Sequence, residues 1–217
     1  MQILWKFSAN DPIEDICFTA CGLLCCFTIL DIILHKSIFL CKDFSIYLQV
    51  QKSRNCLARS IVDVAVMTTF SVLGFVILES FDGWQGFAAD GSLSTMYQFN
   101  SYAQMICIIQ AVYEFKSIVD SVRFNDGFLF IAHHLTAGLL ASLALYPYCH
   151  KYSSFFLGIS EISTAALCVL INFDDERGIK GLKDAFPTLT MVFAGIFAVL
   201  FIVCRIILWP IVSYFFW

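Results

Sequence analysis

Apolar residues run along this chain in long blocks, each close to the roughly 20 residues that a helix needs to cross a bilayer, with short polar segments between them. The blocks predict six membrane-spanning helices, at residues 16–34, 57–78, 96–119, 128–146 and 154–172, with a sixth that starts at Pro187 and runs to the C-terminal end. Pro187 suits the first turn of a helix, where its missing N–H is not needed. Alternation of period two is not sustained, which argues against a β-barrel. The pattern therefore predicts an all-α fold, a polytopic transmembrane helical bundle of about six spans. The third span is the most polar.

Composition agrees. Of 217 residues, 59% are hydrophobic and 14% are charged, against about 25% charged in ordinary soluble domains. A net charge of −4 leaves no basic footprint for nucleic acid. No separate soluble domain is visible, and the chain divides into an N-terminal anchor helix with a basic segment (residues 1–56) and a transmembrane domain (residues 57–217).

Lysine and arginine placement predicts the orientation. Lys36, Lys42, Lys52, Arg54 and Arg59 join spans one and two, Lys116 and Arg123 follow span three, and Arg177, Lys180 and Lys183 follow span five. Those ten fall on one side, against Lys6 and Lys151 on the other. The bias puts the basic loops in the cytosol and the N-terminus in the lumen or outside. The acidic segment NDPIED precedes span one, so that span is read as an uncleaved anchor. The Gly-rich, acidic stretch ESFDGWQGFAADGSLST is expected to be a solvated lumenal connection.

Ionisable residues inside the spans carry the chemistry, because charge at membrane depth is costly and marks function by default. His133 and His134 lie five or six residues into span four, roughly 8 Å deep at 1.5 Å per residue. Glu114 in span three falls at matching depth, and Glu161 lies near the middle of span five with Ser163 and Thr164 beside it. His133, His134, Glu114 and Glu161 are the candidate catalytic set, a carboxylate orienting one imidazole so that its other nitrogen serves as base. The competing reading is a hydrogen-bond network that joins helices. Arg205, deep in span six, is expected to snorkel to the lumenal surface.

Other chemistries find less support. Cys17, Cys21 and Cys25 share a helix face without any histidine, so no metal site is expected. Cys17 and Cys149 could form a lumenal disulfide. Haem needs histidines on facing helices, whereas His133 and His134 are neighbours on one helix, about 100° apart. No bound cofactor is expected.

The runs HHLTAGLLASLAL, GISEISTAALCVLIN and FIVCRIILWP together resemble the TLC domain, shared by translocating-chain-associating, longevity-assurance and neuronal-ceroid-lipofuscinosis proteins. The resemblance rests on the tandem His133–His134, then Glu161, Ser163, Thr164 and Asn172, then Arg205 with Pro210. Tyr113 and Glu114 stand about nineteen positions before the histidine pair, with Glu where Asp is usual. It covers roughly residues 57–210.

The resemblance implies an endoplasmic-reticulum or other endomembrane protein of lipid homeostasis, its partners being membrane lipids. It adds Tyr113, Ser163, Thr164 and Asn172 to a polar cavity around the histidines. The ceramide synthases of the family transfer an acyl group from acyl-CoA to a sphingoid base and carry two aspartates three residues apart. Here those positions hold Glu161 and Thr164, closer to the smaller TLC-domain proteins associated with lipid composition, sensing or cargo trafficking. Two readings stay open: an acyltransferase with long-chain acyl-CoA as co-substrate, and a non-enzymatic lipid sensor or receptor. Oligomerisation is compatible with both. Ceramide synthase-like members usually have one further helix after the Arg–Pro span, so either this is a short member or its last helix is absent from this sequence.

Overall fold

The computed structural model describes residues 13–40, 46–89, 97–145 and 149–216, and no strand occurs among them. In chain order the helices are α1 (Ile13–Leu40), α2 (Gln51–Glu79), the short α3 (Gly83–Ala89), α4 (Ser101–Phe124), α5 (Phe128–Leu143), α6 (His150–Phe173), the short α7 (Leu182–Ala185) and α8 (Pro187–Phe215). Helices α1, α2, α6 and α8 are each long and apolar enough to cross a bilayer. The protein is an all-α integral membrane protein with several spans.

The third and fourth expected spans are helices of a different kind. Helix α4 is 24 residues long but buries Gln104, Gln110, Glu114, Ser117, Asp120 and Ser121, so protein rather than lipid answers its polar face. Helix α5 has 16 residues, roughly 24 Å at 1.5 Å per residue, short of the ~30 Å hydrocarbon layer. The Gly-rich connection after α2 is not wholly a loop, since Gly83–Ala89 is helical. Cys41, Lys42, Met96 and Tyr146, where sequence reading placed a basic segment and two span ends, lie outside the described residues.

The chain folds as two compact units. The first comprises the chain up to Phe27, then Val72–Ile159, then Val212 onward; the second comprises Thr28–Ser71 and Ser160–Ile211. Several helices begin in one and end in the other.

In the first unit, α4 and α5 form a hairpin. Asn125 closes α4 in the left-handed conformation (φ 56°, ψ 48°), its N–H reaching Ser121 and Val122 carbonyls, as Asn does readily at a helix end. Asn100 caps the other end of α4, accepting from the N–H groups of Tyr102 and Ala103 at 3.0 Å. The fully buried His150 ties three segments together. Its Nδ1 accepts from the Asn100 N–H at 3.0 Å, and its Nε2 donates to the Ala144 carbonyl at 3.0 Å. Cys149 beside it and Cys17 are not bridged by a disulfide.

Gly74 lets α2 approach the start of α6. A Cβ there would lie 2.5 Å from Ser154 O and Ile159 N and 2.8 Å from Gly158 Cα. Those are backbone atoms and cannot step aside, and close backbone approach through small residues is how membrane helices associate. Gly74→Ala is expected to lower stability by about 1–3 kcal/mol through overpacking. Gly22→Ala, where nothing lies within 4 Å, should be neutral or slightly stabilising. Thermal unfolding of both in detergent checks the pair.

In the second unit, α6 ends in a turn built on Asp174, whose carboxylate accepts from the N–H groups of Arg177 at 2.9 Å and Glu176 at 2.8 Å. These two donors hold its carboxyl below the usual carboxylate range. A depressed folded-state value means the turn's contribution is present above the unfolded value, near 3.9, and is lost as pH falls through the folded one. Hydrogen exchange at Glu176 and Arg177 should therefore accelerate beyond the intrinsic pH trend only in acid. Asp174→Asn, which keeps the acceptor without the charge, should abolish that dependence.

Candidate functional site

The α4–α5 hairpin of the first unit brings together Glu114 and His134, twenty residues apart. Glu114 is 3% exposed, and its Oε2 lies 2.6 Å from His134 Nδ1. The close approach rests on Gly138, one turn after His134, because a Cβ there would come within 3.2 Å of Glu114 Cβ. A larger residue would push the carboxylate helix away from the imidazole.

In the neutral tautomer that donates from Nδ1 to the carboxylate, His134 carries its lone pair on Nε2. That nitrogen has no partner among the described residues. A carboxylate fixing the tautomer and orientation of an imidazole is the arrangement that makes a general base. The remaining oxygen, Oε1, accepts from Gln110 Nε2 at 2.5 Å. Gln110 was not singled out from sequence, although its place one turn before Glu114 is the i,i+4 spacing at which helix side chains meet.

His133 behaves differently from its neighbour. It is exposed, makes no hydrogen bond among the described residues, and touches His134 edge-on with ring centroids 5.3 Å apart. Successive helix residues diverge by about 100°, so only one of the two can face α4. Tyr113 is buried on α4. The first unit also holds an apolar groove of about 240 Å³ lined by Ala20, Cys21, Leu24, Ala111, Val112 and Phe115. The histidines and Glu114 are not in its walls.

The other sequence candidates fall in the second unit and form two clusters. Glu161 Oε1 accepts from Arg205 Nη2 at 3.0 Å, and Thr164 Oγ1 lies 3.3 Å from the same nitrogen. Arg205 therefore does not simply snorkel: an opposite charge within reach outweighs a longer route to water, and its guanidinium also stacks over Trp209 at 4.7 Å. Pro210 explains the local backbone. It has no N–H and its ring displaces the carbonyl four residues back. The stretch Ile202–Leu208 widens into a π-helix in which the Trp209 N–H reaches Cys204 O, five residues away. Arg205 sits on that wide turn.

Asn172 anchors the second cluster. Its Nδ2 donates to Ser60 Oγ at 2.6 Å and to the Cys168 and Val169 carbonyls at 3.1 Å, while Cys56 Sγ approaches its Oδ1 at 3.7 Å. Ser60 Oγ donates to the Cys168 carbonyl at 2.7 Å. Asn172 thus joins α2 to α6. Ser163 is buried and donates back to the Ser160 carbonyl at 2.8 Å. Among the described residues no three His, Cys, Asp or Glu side chains gather as metal ligands would.

The family model of the TLC domain matches residues 56–217. The chain belongs to the TLC domain family. This TLC-domain protein is accordingly a membrane protein of a family concerned with lipid metabolism or sensing. Comparison with curated proteins and with solved structures gave no match.

The Glu161–Arg205 pair makes a measurable prediction. The side chains are 13% and 24% exposed, so removing one partner strands a largely desolvated charge. Glu161→Leu or Arg205→Leu alone should cost roughly 3 kcal/mol, the lower end for breaking a buried pair. The double variant should recover most of it. Unfolding in detergent across the four-protein cycle measures the coupling, and additive losses would show that the two charges do not stabilise each other.

Proposed function

We propose that this TLC-domain protein binds a membrane lipid at the Glu114–His134 dyad and acts on it by acyl transfer from a long-chain acyl-CoA. One observation carries the reading: a buried carboxylate holds His134 Nδ1 at 2.6 Å and leaves Nε2 open.

The step balances simply. His134 Nε2 takes the proton of a lipid hydroxyl or amine as its oxygen or nitrogen attacks the thioester carbonyl. The carbon–sulfur bond breaks, and the imidazolium returns the proton to the departing thiolate. Glu114 stabilises the imidazolium in between, and Gln110 holds Glu114. His133, exposed beside the dyad, borders the approach and does not relay the proton. Glu161, bound to Arg205, serves as a structural carboxylate in this scheme.

Orientation and place complete the proposal. The Lys and Arg residues between α1 and α2 and after α6 support basic loops in the cytosol, where acyl-CoA is made available. An endoplasmic-reticulum membrane suits that supply. The division into residues 1–56 and 57–217, the N-terminal segment acting as anchor, belongs to the same reading.

Purified protein with radiolabelled long-chain acyl-CoA and a panel of lipid acceptors tests it. Turnover should fall at least about a hundredfold in His134→Ala and by a similar factor in Glu114→Gln, which fixes the wrong tautomer. In His133→Ala it should stay within about tenfold. Equal turnover in wild type and His134→Ala removes the dyad from the mechanism. A folded wild type that binds lipid without turnover leaves the site to a lipid sensor or cargo receptor.

A further inference from the structure

Gln110 is 5% exposed, and its amide has one settled arm and one open arm. The Nε2 arm donates to Glu114 Oε1. Since a carboxylate offers only lone pairs, that bond fixes which way the amide faces. The carbonyl Oε1 lies on the other arm of the same planar group, one amide width from the carboxylate, buried and without a hydrogen-bond partner among the described residues. No water-filled surroundings answer such a group inside a bilayer.

A second open acceptor flanks the same carboxylate. In the tautomer that donates from Nδ1 to Glu114, His134 Nε2 keeps its lone pair. The site therefore presents an acceptor on each side of Glu114, and its one remaining donor is the second N–H of Gln110 Nε2. An anionic headgroup would meet the Glu114 charge. A quaternary ammonium brings no N–H. A lipid that satisfies both positions must bring two donors.

We infer that Gln110 is a specificity-determining residue whose Oε1 accepts an O–H or N–H of the bound lipid, so that the site selects headgroups with a second hydrogen-bond donor beyond the one taken by His134. This rests on the lipid-site reading above and adds the headgroup class to it. Gln110 does not touch the reacting bond. It reads the group beside it.

The test is binding of a tritiated monoacylglycerol, with two free hydroxyls, to the full-length protein in nanodiscs. It is compared with its monomethyl ether, its dimethyl ether, and the analogue with one hydroxyl replaced by an amine. Wild type should bind the diol at least about tenfold more tightly than the monomethyl ether, the ratio expected when a buried acceptor is left unpaired. The amine arm shows whether O–H or N–H fills the position better. In Gln110→Met the ratio should collapse to within about threefold of unity while the ether still binds.

Equal reduction of diol and ether binding in Gln110→Met would mark a merely structural glutamine and overturn the inference. A wild type that binds diol and ethers alike also overturns it, with the lipid site intact. Binding of all probes unchanged by His134→Ala would instead remove the site itself. Should Gln110→Met fail to fold, Gln110→Asn keeps the amide but draws its carbonyl back by about one bond length. An intermediate ratio then supports the assignment, and an unchanged ratio rejects it.

Discussion

Each polar side chain that this chain carries among apolar helices must be answered by another part of the protein, because hydrocarbon supplies neither donors nor acceptors. The architecture follows from how those debts are met. Helix α4 buries Gln104, Gln110, Glu114, Ser117, Asp120 and Ser121, and other parts of the protein answer most of that polar face. Glu114 meets His134 and Gln110, Asn100 caps the first turn, and Asn125 closes the last. In the second unit, Asn172 and Ser60 hold α2 to α6, and Glu161 answers Arg205. Leaving one such group unanswered costs roughly 1–3 kcal/mol, and more for a charge. That is a large share of the marginal stability of a protein this size.

Much of this was legible in the sequence. Continuous apolar blocks identify helices of membrane length without further information, and α1, α2, α6 and α8 fall where the blocks lie. Depth along the blocks was enough to pair Glu114 with the histidines, since two helices joined by a tight turn run antiparallel and equal depths then meet. What depth cannot supply is azimuth. Nothing in a tandem His-His says which ring faces inward, and the structure turns His134 to Glu114 and leaves His133 exposed.

The same limit explains Glu161 and Arg205. Counted from its own end of the span, Arg205 looked free to snorkel, because snorkelling is judged along one helix. Pairing is a matter between helices, and the π-turn that Pro210 imposes changes which face Arg205 presents. Gln110 was missed for a plainer reason. An uncharged amide in an apolar run draws no notice until the carboxylate one turn away is seen to accept from it.

Within the first unit the catalytic reading and the structural reading share one bond. Glu114 stabilises the hairpin by accepting from His134 and Gln110, and those acceptances are also what fix the imidazole tautomer and the amide orientation. A helix-joining network spends every donor and acceptor it has, as Asn172 does with Ser60, Cys168 and Val169. The dyad does not. It satisfies Glu114 completely and leaves Gln110 Oε1 without a partner among the described residues. Gln104, whose Nε2 donates to the Leu145 carbonyl, likewise leaves its Oε1 without a partner among the described residues, so an open acceptor alone does not make a site; at Gln110 it is the adjacent His134–Glu114 pair that supports one.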